Sequence, residues 1–159
     1  MDKLNALVKE LLDQHKGGEQ FFDALDYSIR GDHAIMESFK DLIEWNCSRH
    51  TVLVVSGNFG RFFVNNFFSF IKELCIDIIV TDGGLRKGNP TNTFLLNEPS
   101  SCNDYIFVDD SYYSGSTAKA IEEELGLRFY KIIVVYDGSQ EFEDRVYSLF
   151  RYYDSKQKL

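Results

Sequence analysis

Four short runs of β-branched and apolar residues most constrain what this chain can fold into. They read TVLVVS, IDIIVT, YIFV and KIIVVY, and they begin at residues 51, 76, 105 and 131. Runs of this length and apolar continuity are typical of strands that are buried on both faces of a sheet. Stretches with helical spacing follow the first and third runs. The sequence therefore predicts an α/β fold with a mostly parallel sheet flanked by helices.

The chain divides into three parts around this core. Residues 1–50 show helical spacing without a convincing strand, and Asp32 is the expected cap of their second helix. Residues 51–140 hold the strands, with a further short strand expected around FLL. Residues 141–159 are predicted to form a closing helix that Ser139 caps. With 159 residues in all, we expect a single domain.

Charge and composition exclude several classes of protein. A net charge of −8 argues against binding to duplex nucleic acid, although it leaves room for a small anionic ligand. No apolar run approaches the roughly 20 residues that cross a bilayer. The three cysteines have no CxxC spacing and no even pairing. We therefore expect a cytoplasmic protein with reduced thiols and no membrane partner.

Polar segments follow the strands where ligands usually bind. In parallel α/β sheets, ligands bind beyond the carboxyl ends of the strands. The segments at those ends read SGNFG, TDGGLRKG, DDSYYSGST and YDGSQ. All four are rich in Gly, Asp, Ser or basic residues, so the candidate site residues are sought there.

The segment SYYSGST joins a strand to a helix. Backbone amides at such a helix start lack intrahelical partners, and Gly115 allows a ligand to approach the backbone closely. The hydroxyls of Ser114, Ser116 and Thr117 add donors, which suits a phosphate monoester. The alternative is that Ser114 or Ser116 only caps the helix.

Two adjacent carboxylates, Asp109 and Asp110, precede this segment. They repel each other unless a polyol, a magnesium ion or a developing cation lies opposite them. Hydroxyls at one end and a phosphate at the other describe a ribose 5-phosphate. The alternative is a solvated turn with a capping aspartate.

The run FVDDSYYSGSTAKA resembles the signature of the type I phosphoribosyltransferases, and the similarity extends from about Thr51 to Gln140. The resemblance implies that family's fold, with Asp109 and Asp110 as catalytic residues that hold the ribose hydroxyls of 5-phosphoribosyl 1-diphosphate (PRPP). It also implies a loop that holds the 5-phosphate of PRPP, made of Ser111, Tyr112, Tyr113, Ser114, Gly115, Ser116 and Thr117.

Other segments resemble further parts of that family's site. The run VVSGNFGRFF is similar to its diphosphate-binding segment, which implies roles for Ser56, Gly57, Asn58, Phe59, Gly60 and Arg61; the alternative is a tight turn. Arg86 and Lys87 resemble a catalytic pair in its mobile loop, or else are a surface charge pair. Asp137 and Tyr113 are candidates for the base pocket, although Asp137 could equally be a turn former.

The resemblance implies transfer of phosphoribose from PRPP to a nitrogen acceptor, expected to be a nucleobase, with release of pyrophosphate. Mg²⁺ is the implied cofactor, and Asp109 and Asp110 would contact it only through substrate or water. A homodimer is possible through the aromatic tail FRYYD. Three departures keep a non-catalytic PRPP- or nucleotide-binding regulator open as the alternative. Tyr113 replaces the acidic residue of many purine enzymes, the mobile loop lacks a second lysine, and no strand-containing hood is evident.

Overall fold

A computed structural model of the protein describes residues 2–15, 19–74, 77–81, 94–95 and 103–152. Five helices and six strands lie in these ranges. The helices are α1 (Asp2–Gln14), α2 (Glu19–Arg30), α3 (His33–Asn46), α4 (Gly57–Leu74) and α5 (Ser116–Leu125). The strands are β1 (Thr51–Ser56), β2 (Asp77–Thr81), β3 (Phe94–Leu95), β4 (Asp104–Tyr112), β5 (Lys131–Asp137) and β6 (Val146–Arg151).

The six strands form one sheet in the order β3-β2-β1-β4-β5-β6. Every neighbouring pair is parallel except β2 and β3, which pair antiparallel. The predicted α/β fold with a mostly parallel sheet is therefore confirmed, as is the short strand around FLL. Because β1 leads to β2 on one side and β4 leads to β5 on the other, the winding reverses between β1 and β4. Ligands of such sheets bind at this switch point.

Apolar layers cover both faces of the sheet. Along β1, Leu53 and Val55 pack in the layer formed by α1, α2, α3 and α4. Val52 and Val54 point the other way, into the layer that includes Ala118 of α5. This alternation follows from the two-residue period of a strand. It explains why nearly continuous apolar runs were needed in the sequence. Among the described helices, none is long and apolar enough to span a membrane.

The predicted helical N-terminal segment is confirmed and holds three helices. Asp32 caps α3, since its Oδ1 accepts a hydrogen bond from the amide of Ile35 at 3.1 Å. The additional helix, α2, buries Phe21, Leu25 and Ile29 completely. These residues recur every four positions, so the helical spacing of α2 was present in the sequence.

The predicted closing helix over residues 141–159 is wrong in the part that the structure describes. There the chain forms β6, which pairs parallel with β5. Ser139, the expected helix cap, donates its hydroxyl to the carbonyl of Glu141 instead. The segment VYSLFR is rich in residues that favour strands, and β5 offered an edge to pair with. Pairing with β5 outweighed the helical spacing of this segment.

Candidate functional site

A cavity of about 300 Å³ lies at the carboxyl end of β4. We call it the β4–α5 cavity. Apart from Phe22 on α2, its described lining comes from β4, the start of α5 and the turn between them. The lining residues are Phe22, Phe107, Asp109, Asp110, Ser111, Tyr112, Tyr113, Ser114, Gly115, Ser116, Thr117 and Ala118. The acidic pair and the serine-rich turn, singled out separately in the sequence, thus face one space.

The turn into α5 has no side chain as its cap. Its N-cap is Gly115, with φ +78° and no side-chain hydrogen bond to the helix. A Cβ at Gly115 would lie 2.5 Å from the hydroxyl of Tyr112, so both backbone conformation and space require glycine. The Ser114 and Ser116 hydroxyls are 2.7 Å apart, and the Ser116 amide donates to Ser114 Oγ at 3.3 Å. The next amides begin the helix, where intrahelical acceptors are lacking.

A network of hydrogen bonds and ion pairs supports this turn through Tyr112. The hydroxyl of Tyr112 donates to Glu143 at 2.5 Å, and Glu143 accepts from Arg145 Nε. Arg145 also pairs with Glu122 of α5 at 3.0 Å. The network therefore joins β4, α5 and the segment that leads into β6. We infer that it fixes the ring beneath Gly115.

The acidic pair lies within β4 and is partly buried. The amide of Asp110 donates to Asp109 Oδ1 at 2.9 Å, and the hydroxyl of Ser111 donates to Asp110 at 3.4 Å. Burial and then the charge of Asp110 raise the pKa of Asp109 well above its ordinary range. Burial also raises the pKa of Asp110. A bound cation, or hydroxyls that donate to these oxygens, would stabilise the ionised pair.

A third carboxyl reaches this pair from α2. Asp26 forms an ion pair with Arg30, with 2.9 Å between Oδ2 and Nη2. Burial and then the charge of Asp110 raise the pKa of Asp26 to about 6. Within the described structure, Asp26 Oδ1 is buried without a hydrogen-bond partner.

Aromatic rings close one side of the β4–α5 cavity. The ring of Phe22 stands edge-on to that of Tyr113, with centroids 4.4 Å apart and an interplanar angle of 85°. Tyr113 also packs edge-on against Tyr136 at 5.5 Å. Burial and then the neighbouring Tyr136 raise the pKa of Tyr113. The base-pocket candidate Tyr113 therefore belongs to the cavity wall.

Phe22 and Asp26 were missed in the sequence. They lie beside the buried positions of α2, and residues four apart share one helix face. That spacing could have shown that they face inward. It carries no information on which strand α2 packs against, so only the fold brings them to the site.

The diphosphate candidates lie at the same edge of the sheet, one strand away. Val55 pairs with Val108, so Ser56 at the end of β1 is level with Asp109. Gly57, with φ +65°, begins α4, so the expected loop is the first turn of a helix. Phe59 is buried in the core, and Arg61 donates to Asn58 at 3.3 Å. These six residues, Ser56 through Arg61, are not part of the described cavity lining.

The remaining candidates are not brought to the cavity in the described structure. Asp137 is 3% exposed, and its carboxylate accepts from the amide of Ser139 at 2.9 Å and pairs with Arg151 at 3.5 Å. It is absent from the described lining, and these contacts fit the turn-forming alternative. Arg86 and Lys87 lie outside the described residues.

Comparisons with known proteins give matches only at the level of solved structures. No protein-family model and no curated protein matches the chain. Orotate phosphoribosyltransferase from Aeropyrum pernix is 18% identical and has a TM-score of 0.49, over 76% of this chain and 73% of that one. A hypoxanthine phosphoribosyltransferase from Staphylococcus aureus is 16% identical and has a TM-score of 0.47, over 82% and 76%. A purine phosphoribosyltransferase from Pyrococcus horikoshii is 17% identical and has a TM-score of 0.45, over 77% and 83%.

The chemistry of the β4–α5 cavity limits what can bind there. The start of α5 favours an anion, because its free amides and helix dipole present positive charge. The acidic pair favours donated hydrogen bonds or positive charge. Within the described residues, no three His, Cys, Asp or Glu side chains are grouped to hold a metal ion. The cavity therefore suits a ligand that is anionic at one end and hydroxyl-bearing at the other.

Proposed function

We propose that this protein is a phosphoribosyltransferase that transfers phosphoribose from PRPP to a nitrogen acceptor, most simply a nucleobase, and releases pyrophosphate. One observation carries the proposal: the acidic pair and the serine-rich turn line a single cavity. A phosphorylated ribose presents phosphate and hydroxyls a few bonds apart. Such a ligand uses both groups of residues at once.

Each lining group has a role in binding the donor. The amides at the start of α5 and the hydroxyls of Ser114, Ser116 and Thr117 hold the 5-phosphate. Asp109 and Asp110 accept hydrogen bonds from the ribose hydroxyls. The first turn of α4 follows β1, the strand next to β4, and is assigned to the diphosphate. Arg86 and Lys87 are assigned as the catalytic cations. Binding of groups remote from C1 positions the reacting carbon.

In the proposed reaction, the bond between ribose C1 and the diphosphate oxygen breaks, and its electron pair leaves with the diphosphate. A bond forms between C1 and the acceptor nitrogen, which gives up its proton to solvent. Positive charge develops on the ribose in between. The carboxylates of Asp109 and Asp110 stabilise that charge from fixed positions, without transferring a proton themselves.

Mg²⁺ is the proposed cofactor, and the donor set fits it. The cavity offers carboxylate and hydroxyl oxygens, which are the ligands that hard cations prefer. Since the described residues contain no ready-made metal cluster, Asp109 and Asp110 would hold the ion through substrate oxygens or water. When bound, Mg²⁺ would supply charge neutralisation at the diphosphate.

A non-catalytic regulator that binds PRPP or a nucleotide is the second candidate. The charge interaction between Asp26 and Asp110 favours it, because a third carboxyl group beside the acidic pair opposes the ionised state that the proposed mechanism needs. The regulator and the enzyme make the same prediction for binding. They differ in whether pyrophosphate is released.

Titration calorimetry with PRPP and Mg²⁺, followed by a panel of nucleobases assayed for pyrophosphate, tests the proposal. We expect PRPP to bind and at least one base to release pyrophosphate. The double variant Asp109→Asn with Asp110→Asn should lose this turnover and keep its circular dichroism spectrum. The double variant Asp13→Asn with Asp41→Asn changes the charge equally, away from the cavity, and should stay active.

Three outcomes would contradict the assignment in different ways. Binding of PRPP without pyrophosphate release from any base would identify the regulator. Full turnover in the Asp109/Asp110 variant would remove the mechanism. Failure of PRPP to bind the wild-type protein would end the enzyme and leave only a regulator that binds a nucleotide.

A further inference from the structure

We propose that α2 forms the base side of the site and that Phe22 determines what the site accepts. The inference rests on the proposed function and deepens it. In this arrangement a flat heteroaromatic ring, joined to a phosphorylated ribose, packs in the corner between Phe22 and Tyr113. The N-terminal helices are then part of the binding site as well as of the core.

The lining of the β4–α5 cavity is the first support. Phe22 is its one described member from outside residues 107–118. The phosphate and ribose groups already have partners in that stretch, at the turn and at the acidic pair. Phe22 and Tyr113 form an apolar wall of the same cavity, and this wall lies beside Asp110.

The geometry of the two rings is the second support. An edge-on pair with centroids 4.4 Å apart forms a right-angled corner, which a third flat ring can enter against either face. Tyr113 is held by Tyr136 on its other side, and Gly138 leaves no room for a Cβ beneath it. Phe22 is held by the fully buried Phe21, with centroids 5.5 Å apart. The corner is therefore built on packed residues.

α2 also contacts β4. Asp26 lies one helical turn after Phe22, on the same face, and its carboxyl is close enough to Asp110 for the two charges to interact. The position of Phe22 is thereby tied to the residue assigned to the ribose. A base attached to C1 requires an apolar wall at a fixed position relative to the ribose, and this arrangement supplies one.

The chemistry of this wall predicts the kind of selectivity. Aromatic packing accepts any base, because every base has a flat π-face. The described lining next to the corner offers few groups that could read the edge of one particular base. We therefore expect Phe22 to favour ribonucleotides as a class over the bare sugar phosphate.

The test compares ribose 5-phosphate with the 5′-monophosphates of adenosine, guanosine, cytidine and uridine in titration calorimetry. For the wild-type protein, at least one nucleotide should bind roughly tenfold more tightly than ribose 5-phosphate. Phe22→Ala should lose this gain and keep its affinity for ribose 5-phosphate. Phe22→Leu, which retains most of the apolar volume, should lose it as well, whereas Phe22→Tyr should keep it.

Phe70→Ala is the matched control. Phe70 is also partly buried and packs against the same core layer, but it does not line the described cavity. Its truncation should leave the nucleotide gain intact. Circular dichroism of each variant establishes that it is folded, and the leucine variant decides the matter if the alanine variant is not.

The outcomes separate the two proposals. If neither ribose 5-phosphate nor any of the nucleotides binds the wild-type protein, the site for phosphate and ribose that the proposed function assigns fails, and this inference fails with it. If ribose 5-phosphate binds but no nucleotide gains affinity, or if the gain survives in Phe22→Leu, only the role of Phe22 is overturned.

Discussion

Three carboxyl groups that meet at the end of β4 govern the electrostatics of the site. Asp109 and Asp110 come from the strand, and Asp26 comes from α2 beside its partner Arg30. Burial raises the pKa of all three, and their mutual repulsion adds to the effect for Asp26 and Asp109. The folded protein without ligand therefore carries an electrostatic penalty at neutral pH, which a hydroxyl-bearing or cationic ligand would relieve.

Asp26→Asn should stabilise the protein above pH 6. The pKa of Asp26 is about 6 when folded and 3.8 ordinarily, so the folded state binds the proton more tightly. Its favourable contribution is present in full below about pH 4 and is lost as the pH rises through 6. We expect Asp26→Asn to gain up to about 2–3 kcal/mol over the wild type at pH 7 and little at pH 4. Urea unfolding across this range measures the difference.

Asp41→Asn, exposed on α3, is the control for the loss of one negative charge and should change the free energy of unfolding much less at pH 7. A difference for Asp26→Asn that is constant with pH would contradict the electrostatic account, as would a loss of stability at pH 7.

The contrast between these residues shows what sequence can predict about the site. Asp109, Asp110 and Gly115 follow one another within a few positions, so their order alone indicated a shared ligand. Phe22 and Asp26 are far away in the chain. Their role depends on how α2 packs over β4, which hydrophobic spacing does not specify. Local sequence patterns therefore predicted the part of the cavity that is built from residues close together in the chain.

At the scale of elements, the N-terminal helices are tied together at Asp32. Its carboxylate caps α3 through the amide of Ile35, and it also forms an ion pair of 2.9 Å with Lys3 of α1. The hydrogen bond with Lys3 lowers the pKa of Asp32, against a smaller opposing effect of burial. The Asp32 side chain thus caps α3 and also links α3 to α1, the helix that precedes α2 in the chain.

Asp32→Ala should lower the free energy of unfolding by about 1 kcal/mol, because an unpaired amide is left at the start of α3. Lys3→Ala removes the ion pair but leaves the cap. It should have a much smaller effect, since the Lys3 side chain is mostly exposed. Equal losses in the two variants, measured by urea unfolding at neutral pH, would assign the effect to the ion pair instead.

The C-terminal strand shows where element prediction failed. Its residues contain both apolar spacing that a helix could use and a high content of residues that favour strands. Pairing with β5 determined the outcome. The amide of Ile132 in β5 donates to the carbonyl of Arg145, immediately before β6 begins. Whether a sheet edge is available depends on the tertiary structure. Such an edge determines the conformation of a segment whose local preferences for helix and strand are balanced.

At the scale of the whole molecule, the sheet is shared by two apolar layers. Neighbouring residues of β5 enter different layers: Ile133 packs with the N-terminal helices, and Val134 packs on the side of α5. Both are fully buried. Neither layer can come apart without exposing strands that the other layer needs. A single domain, predicted from length alone, is consistent with this arrangement and stays a prediction. Cytoplasmic location and a homodimer stay predictions as well.

Thermal unfolding should therefore be one cooperative transition. We expect a single calorimetric peak whose enthalpy agrees with the van't Hoff value. Ile133→Ala should destabilise the protein by about 2–5 kcal/mol, and Val134→Ala should shift the same peak in the same direction. Glu124→Ala, exposed on α5, should leave it in place. Two separated peaks, each moved by only one of the core variants, would show that the layers unfold independently.

The two ends of the β4–α5 cavity belong to a single uninterrupted stretch of backbone, from Phe107 to Ala118. The distance between the two ends is consequently set by the covalent geometry of this stretch and by the pitch of one strand and one turn. Substitutions in the N-terminal helices change what covers the cavity and which molecules fit in it. They leave the spacing between the acidic pair and the turn unchanged, so new ligands can be gained while both binding groups are kept.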